Sequence, residues 1–262
     1  MDITVLIPVY RNQAGLNRSL ESLAEAEGGF DVLIVDDGSP QPIEAPQSLR
    51  DQVPVTVMRL PRNQGIAAAL NHGLAHILEK GNRYIARLDA GDTVAPRRFL
   101  KQARFLSAHP ACAAVSSFVD FVDHSRTRLF CYRAPCRHES ILQALRSNNR
   151  LVHSGLMIRA SAMRAVGLYR LDMPAAEDYE LILRLAQRYT LAILPEVLTC
   201  CEYSLEGISV ADRRQQQKQR LKLQIRYFDW GSPYSFLGVA RTLAAMLVPH
   251  EAVFRFKCAY LR

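Results

Sequence analysis

The chain lacks any run of roughly 18 apolar residues, the length a bilayer-spanning helix needs. The best stretch, 236–249, is shorter and carries Arg241. The first residues, MDITVLIPVYRN, have no basic leader ahead of an apolar segment, so no secretory signal is expected. Cysteine is scarce and badly spaced for metal. The six stand at 112, 131, 136, 200, 201 and 258. Cys131 and Cys136 have no matching second pair, and Cys200 and Cys201 are adjacent. Reduced thiols of a cytoplasmic protein are the expectation. Internal repeats and low-complexity tracts are missing too.

What is present describes a folded chain. Of 262 residues, 49% are hydrophobic and 22% charged, enough to bury a sizeable core. Lys and Arg total 33 against 25 acids, a formal charge of +8. That excess favours anionic partners such as nucleotides, anionic lipid or nucleic acid, without choosing among them.

The first hundred residues alternate two patterns. Ile3 to Val9, Asp31 to Val35, Val53 to Leu60 and Arg83 to Leu88 are short apolar runs that predict strands. Leu16, Leu20 and Leu23 recur at helical spacing, and Ile66 to Leu78 predicts a helix with Asn63 as its cap. Strands and helices in alternation predict a parallel sheet covered on both faces, the α/β class. Further on, Pro96 to Ala108 predicts a helix and Cys112 to Val122 a strand. Leu156 to Ile158 predicts a strand followed by a helix from Ser161, and Asp178 to Gln187 another helix. Leu191 to Leu194 and Val197 to Tyr203 read as two strands. The polar stretch 124–152 gives no clear pattern.

Ligands of open parallel sheets bind at the carboxyl ends of the strands. The first strand ends in Pro8-Val9-Tyr10-Arg11-Asn12, the second in Asp36-Asp37-Gly38-Ser39, the fourth in Asp89-Ala90-Gly91-Asp92. Two acidic clusters and an aromatic therefore converge on one edge. Clustered carboxylates repel unless a metal ion or a hydrogen-bonding ligand relieves them.

The blocks ITVLIPVYRN, LIVDDGS, RNQGIAAALNHGL, YIARLDAGDTVAPRRF and HSGLMIRASAMRAVGLYR with AAEDYELILRL resemble, in order and spacing, the family 2 inverting glycosyltransferases of the GT-A fold. The resemblance covers about residues 3–200. It implies a mostly parallel central sheet flanked by helices, a nucleotide-diphosphate sugar donor, and Mn²⁺ or Mg²⁺ as cofactor. It also implies an inverting single displacement onto a glycan or lipid-linked acceptor, in cell-surface polysaccharide or lipopolysaccharide synthesis. Pro8, Val9, Tyr10 and Asn12 fall in the family's nucleotide-binding loop, where Tyr10 packs on the base or serves only the turn. Asp37 matches the acid that accepts from the base, which favours UDP- or dTDP-sugars. Asp36 holds the loop. Asn63 and Gly65 match the donor-binding segment, where a glycine lets backbone approach a ligand, and Asn71 is scaffolding.

Asp89 and Asp92 stand at the metal motif, but Gly91 occupies the position where a third acid is common. Asp92 is the expected metal ligand, with Asp89 toward the ribose or the metal. Beside them, Arg87 pairs with these acids or faces phosphate. Asp178 matches the general base, with Glu177 beside it toward the nucleotide sugar; the alternative for the pair is helix capping. His153 touches phosphate or acceptor, or is structural.

From Ala211 the chain turns basic, RRQQQKQRLKLQIRYFDW, and it ends in FRFKCAYLR. We therefore divide it into a glycosyltransferase domain, 1–210, and a basic C-terminal helical extension, 211–262. The extension either rests on anionic membrane, placing a cytoplasmic protein at the inner face, or packs on the domain as a solvated helix. A dehydrogenase would show G-x-G-x-x-G after the first strand, where VYRNQAG has one glycine. A receiver domain would be about half this length and lack the later acids. No nucleic-acid partner is expected, for the basic residues are not interleaved with a stacking platform. Two alternatives stay open: a nucleotide-sugar-binding protein without catalysis, and a nucleotidyltransferase of related fold, although Arg11 alone is no triphosphate loop.

Overall fold

The computed structural model describes residues 2–203 and 213–248. The 210/211 boundary, the final FRFKCAYLR segment and Cys258 lie outside the described residues.

Strand β1 (Ile3–Val9) is buried along its whole length. It sits between β2 (Asp31–Asp36) and β4 (Tyr84–Arg87), and β3 (Val55–Arg59) pairs outside β2, all in parallel. The side-chain period of two sends alternate residues to opposite faces. Leu6, Leu33, Val35 and Ile85 join α3 (Ile66–Lys80) on one side. Val5, Ile7, Val32, Ile34 and Ala86 join α1 (Gln13–Ala24) and α4 (Arg98–Ala108) on the other. This is why the strands are continuously apolar: both faces are covered.

Beyond β4 the sheet changes sense. Its order is β3-β2-β1-β4-β8-β6-β9-β5, with β7 (Arg128–Tyr132) on β6 (Cys112–Val122). β8 (Met157–Arg159) runs antiparallel to both β4 and β6. β9 (Thr190–Glu202) is parallel to β6, and the two-residue β5 (Thr93–Val94) is antiparallel to β9. The expected α/β, GT-A-like architecture is observed. The parallel 3-2-1-4 half carries both acidic turns.

Three local readings need correction. The strands read at 191–194 and 197–203 are one strand, β9, with register irregularities opposite Ser117–Val119. The unpatterned stretch holds β7 and α5 (His138–Leu145), fixed by Phe121–Phe130 stacking at 4.9 Å and by burial of Ile141 and Leu145. Asn63 does not cap α3: the cap position is Gly65, with no side-chain hydrogen bond. The remaining helices are α2 (Gln47–Arg50), α6 (Ala160–Val166), α7 (Glu177–Ala186), α8 (Arg213–Arg226) and α9 (Pro233–Leu247). α8 buries Leu223 in the same core as α3 and α7, so it packs on the domain. Among the described residues no helix is long and apolar enough to cross a membrane, and the five described cysteines are unpaired.

Candidate active site

The turn after β2 is closed by its own acids. Asp36, fully buried, accepts from the Ser39 N–H at 2.9 Å and the Ile43 N–H at 3.4 Å, and faces Arg59 at 3.5 Å. It holds the loop, as expected. Asp37 accepts three bonds from one segment: Gln64 N–H at 2.8 Å, Gly65 N–H at 2.9 Å and Asn63 Nδ2 at 2.9 Å. Burial nonetheless pushes its carboxyl above the usual range, against those backbone bonds. A carboxylate has about four lone-pair sites, so one remains. Asn63 thus serves Asp37 rather than a helix end. Gly65, at φ 87°, has nothing within 4 Å of where a Cβ would stand, leaving its backbone open to a ligand.

The loop after β1 is pinned to this turn. Val9 O accepts from Asp37 N–H at 2.9 Å, and Arg11 N–H donates to Ser39 Oγ at 3.0 Å. Tyr10 is 38% exposed, with the Arg11 guanidinium 4.9 Å from its ring centre, while Pro8 and Val9 are buried. Asn12 is spent internally. Its Oδ1 accepts from Gly15 N–H at 2.9 Å, capping α1, and its Nδ2 donates to Ala90 O at 3.1 Å. That second bond joins the β1 loop to the acidic turn after β4.

In that turn Gly91 has φ 114°, a conformation that strains any residue with a Cβ. The departure from the family pattern therefore has a backbone reason. Gly91 N–H donates to Ser19 Oγ at 2.9 Å, and Asp89 N–H to Ser154 Oγ at 3.0 Å. Arg87 is fully buried and donates to Asp89 Oδ1 at 2.5 Å, to Leu6 O at 2.5 Å and to His153 Nε2 at 3.2 Å. Arg87 therefore pairs with the motif's first acid. Burial works against the Asp89 charge, but Arg87, with His153 and Arg98, outweighs it and holds this carboxyl below its ordinary range. Asp92 behaves oppositely: burial, then repulsion from Asp89, raises its pKa to about 6. Its Oδ1 accepts from the Glu202 N–H at 3.0 Å. Asp92 does not cap α4, whose cap position is Arg97.

His153 accepts on Nε2 from Arg87, and Tyr169 Oη lies 2.7 Å from the same nitrogen. Burial, then the Arg87 charge, lowers its pKa to about 4, so the ring is neutral at pH 7. With Nε2 accepting, the proton sits on Nδ1, which has no hydrogen bond to any described residue. The loop is braced from behind by Asn71, which exchanges two 2.9 Å bonds with the Tyr169 backbone, confirming it as scaffolding.

Glu177 and Asp178 open α7 without capping it, since the cap position is Ala176. Asp178 accepts from Asn149 Nδ2 at 2.8 Å and from Tyr179 N–H at 2.7 Å. Glu177 is 8% exposed, and burial, then Asp178, then Asp89, raises its pKa to about 8. At neutral pH Glu177 therefore keeps its proton. Asp89 and Asp178 both act on the charge of His153 and on that of Glu177, which groups the four in one site. Asn149, Tyr169 and Ser154 were missed in the sequence. Asn149 lies in no recognisable motif; Ser154 and Tyr169 lie within the HSGLMIRASAMRAVGLYR block, but only folding brings them to Asp89 and His153.

No cluster of three or more His, Cys, Asp or Glu able to hold a metal occurs among the described residues. Two carboxylates do suffice for Mg²⁺ or Mn²⁺ when substrate phosphates supply the other oxygens. Asp89 and Asp92 meet that requirement, and their mutual repulsion is what a cation would relieve.

Comparison with known proteins follows the same residues. The profile of glycosyl transferase family 2 matches residues 4–167. The amylovoran biosynthesis glycosyltransferase AmsE of Erwinia amylovora is 29% identical over 202 residues, 74% of each chain. The crystal structure of S. aureus TarS 1–349 with UDP superposes with a TM-score of 0.65 at 16% identity, covering 96% of this chain and 73% of that one. The mannosyltransferase PcManGT of Pyrobaculum calidifontis, solved with GDP-Man and Mn²⁺, gives 0.63 at 18% identity, covering 98% and 79%.

Proposed function

The chain belongs to glycosyltransferase family 2, and from that premise we propose that it moves a sugar from a UDP- or dTDP-sugar onto a hydroxyl of a glycan or lipid-linked acceptor, with inversion. The observation that carries this is the gathering of Asp89, His153, Glu177 and Asp178 into one site, with Asp37 and Gly65 at the neighbouring strand end.

Asp37 uses its remaining lone pair for the N3–H of a uracil or thymine base, which packs on the exposed Tyr10 ring beside Pro8, Val9 and Asn12. Asn63 keeps Asp37 aimed, and the open Gly65 backbone meets the donor. Asp178 takes the proton of the acceptor hydroxyl. As that proton leaves, the oxygen forms its bond to the anomeric carbon on the face opposite the nucleotide. The bond to the nucleoside diphosphate breaks in the same displacement, which inverts the centre. Glu177, protonated at neutral pH, adds no negative charge beside Asp178. The His153 Nδ1–H donates to a phosphate or acceptor oxygen. A divalent cation bound by Asp92 and Asp89 would neutralise charge on the departing diphosphate.

The setting we favour is cell-surface polysaccharide or lipopolysaccharide synthesis at the inner face of the membrane; AmsE carries a polysaccharide role in its name. The orientation of α9 supports membrane contact. Its small residues Ser235, Gly238 and Thr242 are buried, while Phe236, Leu237, Leu243 and Leu247 face outward. Large apolar side chains on the outer face suit an interface rather than bulk water.

Titration calorimetry with UDP, dTDP and GDP, each with and without Mn²⁺, tests the reading. Metal-dependent binding of one nucleotide, lost in Asp92→Ala, is expected. Binding without turnover would favour a nucleotide-sugar-binding protein, and no binding by folded protein would end the transferase proposal.

A further inference from the structure

Beside Asp178 three arginines gather without an ion-pair partner among the described residues. α8 is fixed there by two hydrogen bonds. The Ala175 N–H, just ahead of α7, donates to Gln219 Oε1 at 2.9 Å, and Gln224 Nε2 donates to Ser147 O at 2.8 Å. α9 lies against the same loop so closely that a Cβ on Gly238 would stand 2.4 Å from Arg146 O. Three residues on, Asn149 holds Asp178. Arg150 from this loop, Arg220 from α8 and Arg241 from α9 are thereby brought together. Burial lowers the Arg220 pKa, and its charge interacts with those of Asp178, Arg150 and Arg241.

Like charges gathered around the half-buried Arg150 and Arg220 are costly unless something of opposite sign is bound. Among the described residues, no carboxylate ion-pairs with any of the three. The Arg150 Nε is buried with no hydrogen-bond partner. The bond Arg220 makes is a long one, 3.4 Å to Gln217 Oε1. Arg184, on the opposite end of α7, shows what a structural arginine looks like here: it grips Glu180 through Nε and the carbonyls of Val166, Gly167 and Leu168. On the donor side Arg87 and Arg98 both act on the Asp89 charge, so that side has its own cations.

We propose that Arg150, Arg220 and Arg241 form a second anion site, separate from the donor diphosphate site, that takes a phosphate or diphosphate group carried by the acceptor. The assignment to the acceptor rests on Asp178 being the base. Guanidinium groups present paired N–H donors that match phosphate oxygens, and three of them offer more donors than one carboxylate accepts. A phosphate held there stands next to Asp178, so it registers the acceptor hydroxyl against the base.

The test uses the full chain saturated with its nucleotide and Mn²⁺, then titrated with inorganic pyrophosphate. A second binding event is expected. Arg150→Gln and Arg220→Gln each weaken it about tenfold or more, with nucleotide affinity unchanged, and Arg150→Lys recovers part of the loss. If Arg220→Gln fails to fold, Arg241→Gln, on an exposed side chain, carries the same reading. Phosphatidylcholine vesicles with and without polyprenyl diphosphate separate the sources. Retention on the former alone marks a lipid-carried diphosphate; pyrophosphate binding with no retention marks a soluble phosphorylated acceptor. The proposal is overturned if the variants lose nucleotide affinity in step with pyrophosphate, which would give these arginines to the donor, or if pyrophosphate affinity ignores them. Pyrophosphate binding that answers to these arginines in a protein that binds no nucleotide would sink the transferase reading and leave the anion site standing.

Discussion

The turns after β2 and β4 flank the same central strand, and each carries two aspartates, yet the fold treats them in opposite ways. In the first, Asp36 and Asp37 take five hydrogen bonds from the protein's own donors, Ser39, Ile43, Asn63, Gln64 and Gly65, which leaves Asp37 one free lone pair. In the second, Asp89 leans on a buried arginine, and Asp92 is left with a pKa of about 6. One pair builds a loop. The other is electrostatically unfinished, as a site awaiting a cation or ligand should be. Glu177–Asp178 belongs with the second kind.

The largest effect is expected where an unfinished acid does chemistry. Asp178→Asn should cut turnover by about 10²–10⁴-fold while calorimetric nucleotide affinity and the melting temperature hold. A collapse of stability instead would place Asp178 among the structural acids. Next comes Glu177. Its folded pKa, about 8, lies above the ordinary value of 4.5. The stability it contributes is therefore full below about pH 4.5 and is lost as pH rises through about 8, since the unfolded chain gives up the proton first. Glu177→Gln should flatten that slope in denaturant titrations and gain on the order of a few kcal/mol at pH 9. An unchanged slope would show that Glu177 is not held protonated.

Asp37→Ala should cost about 2 kcal/mol or more by leaving buried N–H groups unpaired, whereas Asp92→Ala should cost less at pH 7, since it frees only the Glu202 N–H and relieves the repulsion from Asp89. Equal losses in thermal melts would erase the distinction between the two turns. The smallest effect is Gly91→Ala, about 1 kcal/mol of backbone strain at φ 114°. No change in its melt would mean the turn relaxes freely.

The sequence made much of this legible. Apolar runs located β1, β2 and β4, the leucines at 16, 20 and 23 located α1, and the acids at strand ends located the candidate site. Polar segments resisted because their patterns are decided by distant partners. The 124–152 stretch folds as it does because Phe130 stacks on Phe121 and Ile141 enters the core. Asn63 looked like a helix cap because that is what asparagine does locally. A left-handed Gly65 and a nearby Asp37 gave it other work.

By itself the sequence determined the α/β class, the family and the chemistry available at the sheet edge, because those depend on residue type and period along the chain. Only the tertiary structure decided which carboxylates are satisfied and which stand charged or protonated. It also decided which histidine nitrogen carries the proton, and that three arginines from separate elements meet beside Asp178. Such properties arise from burial and from neighbours far apart in the chain, and neither is written in local order.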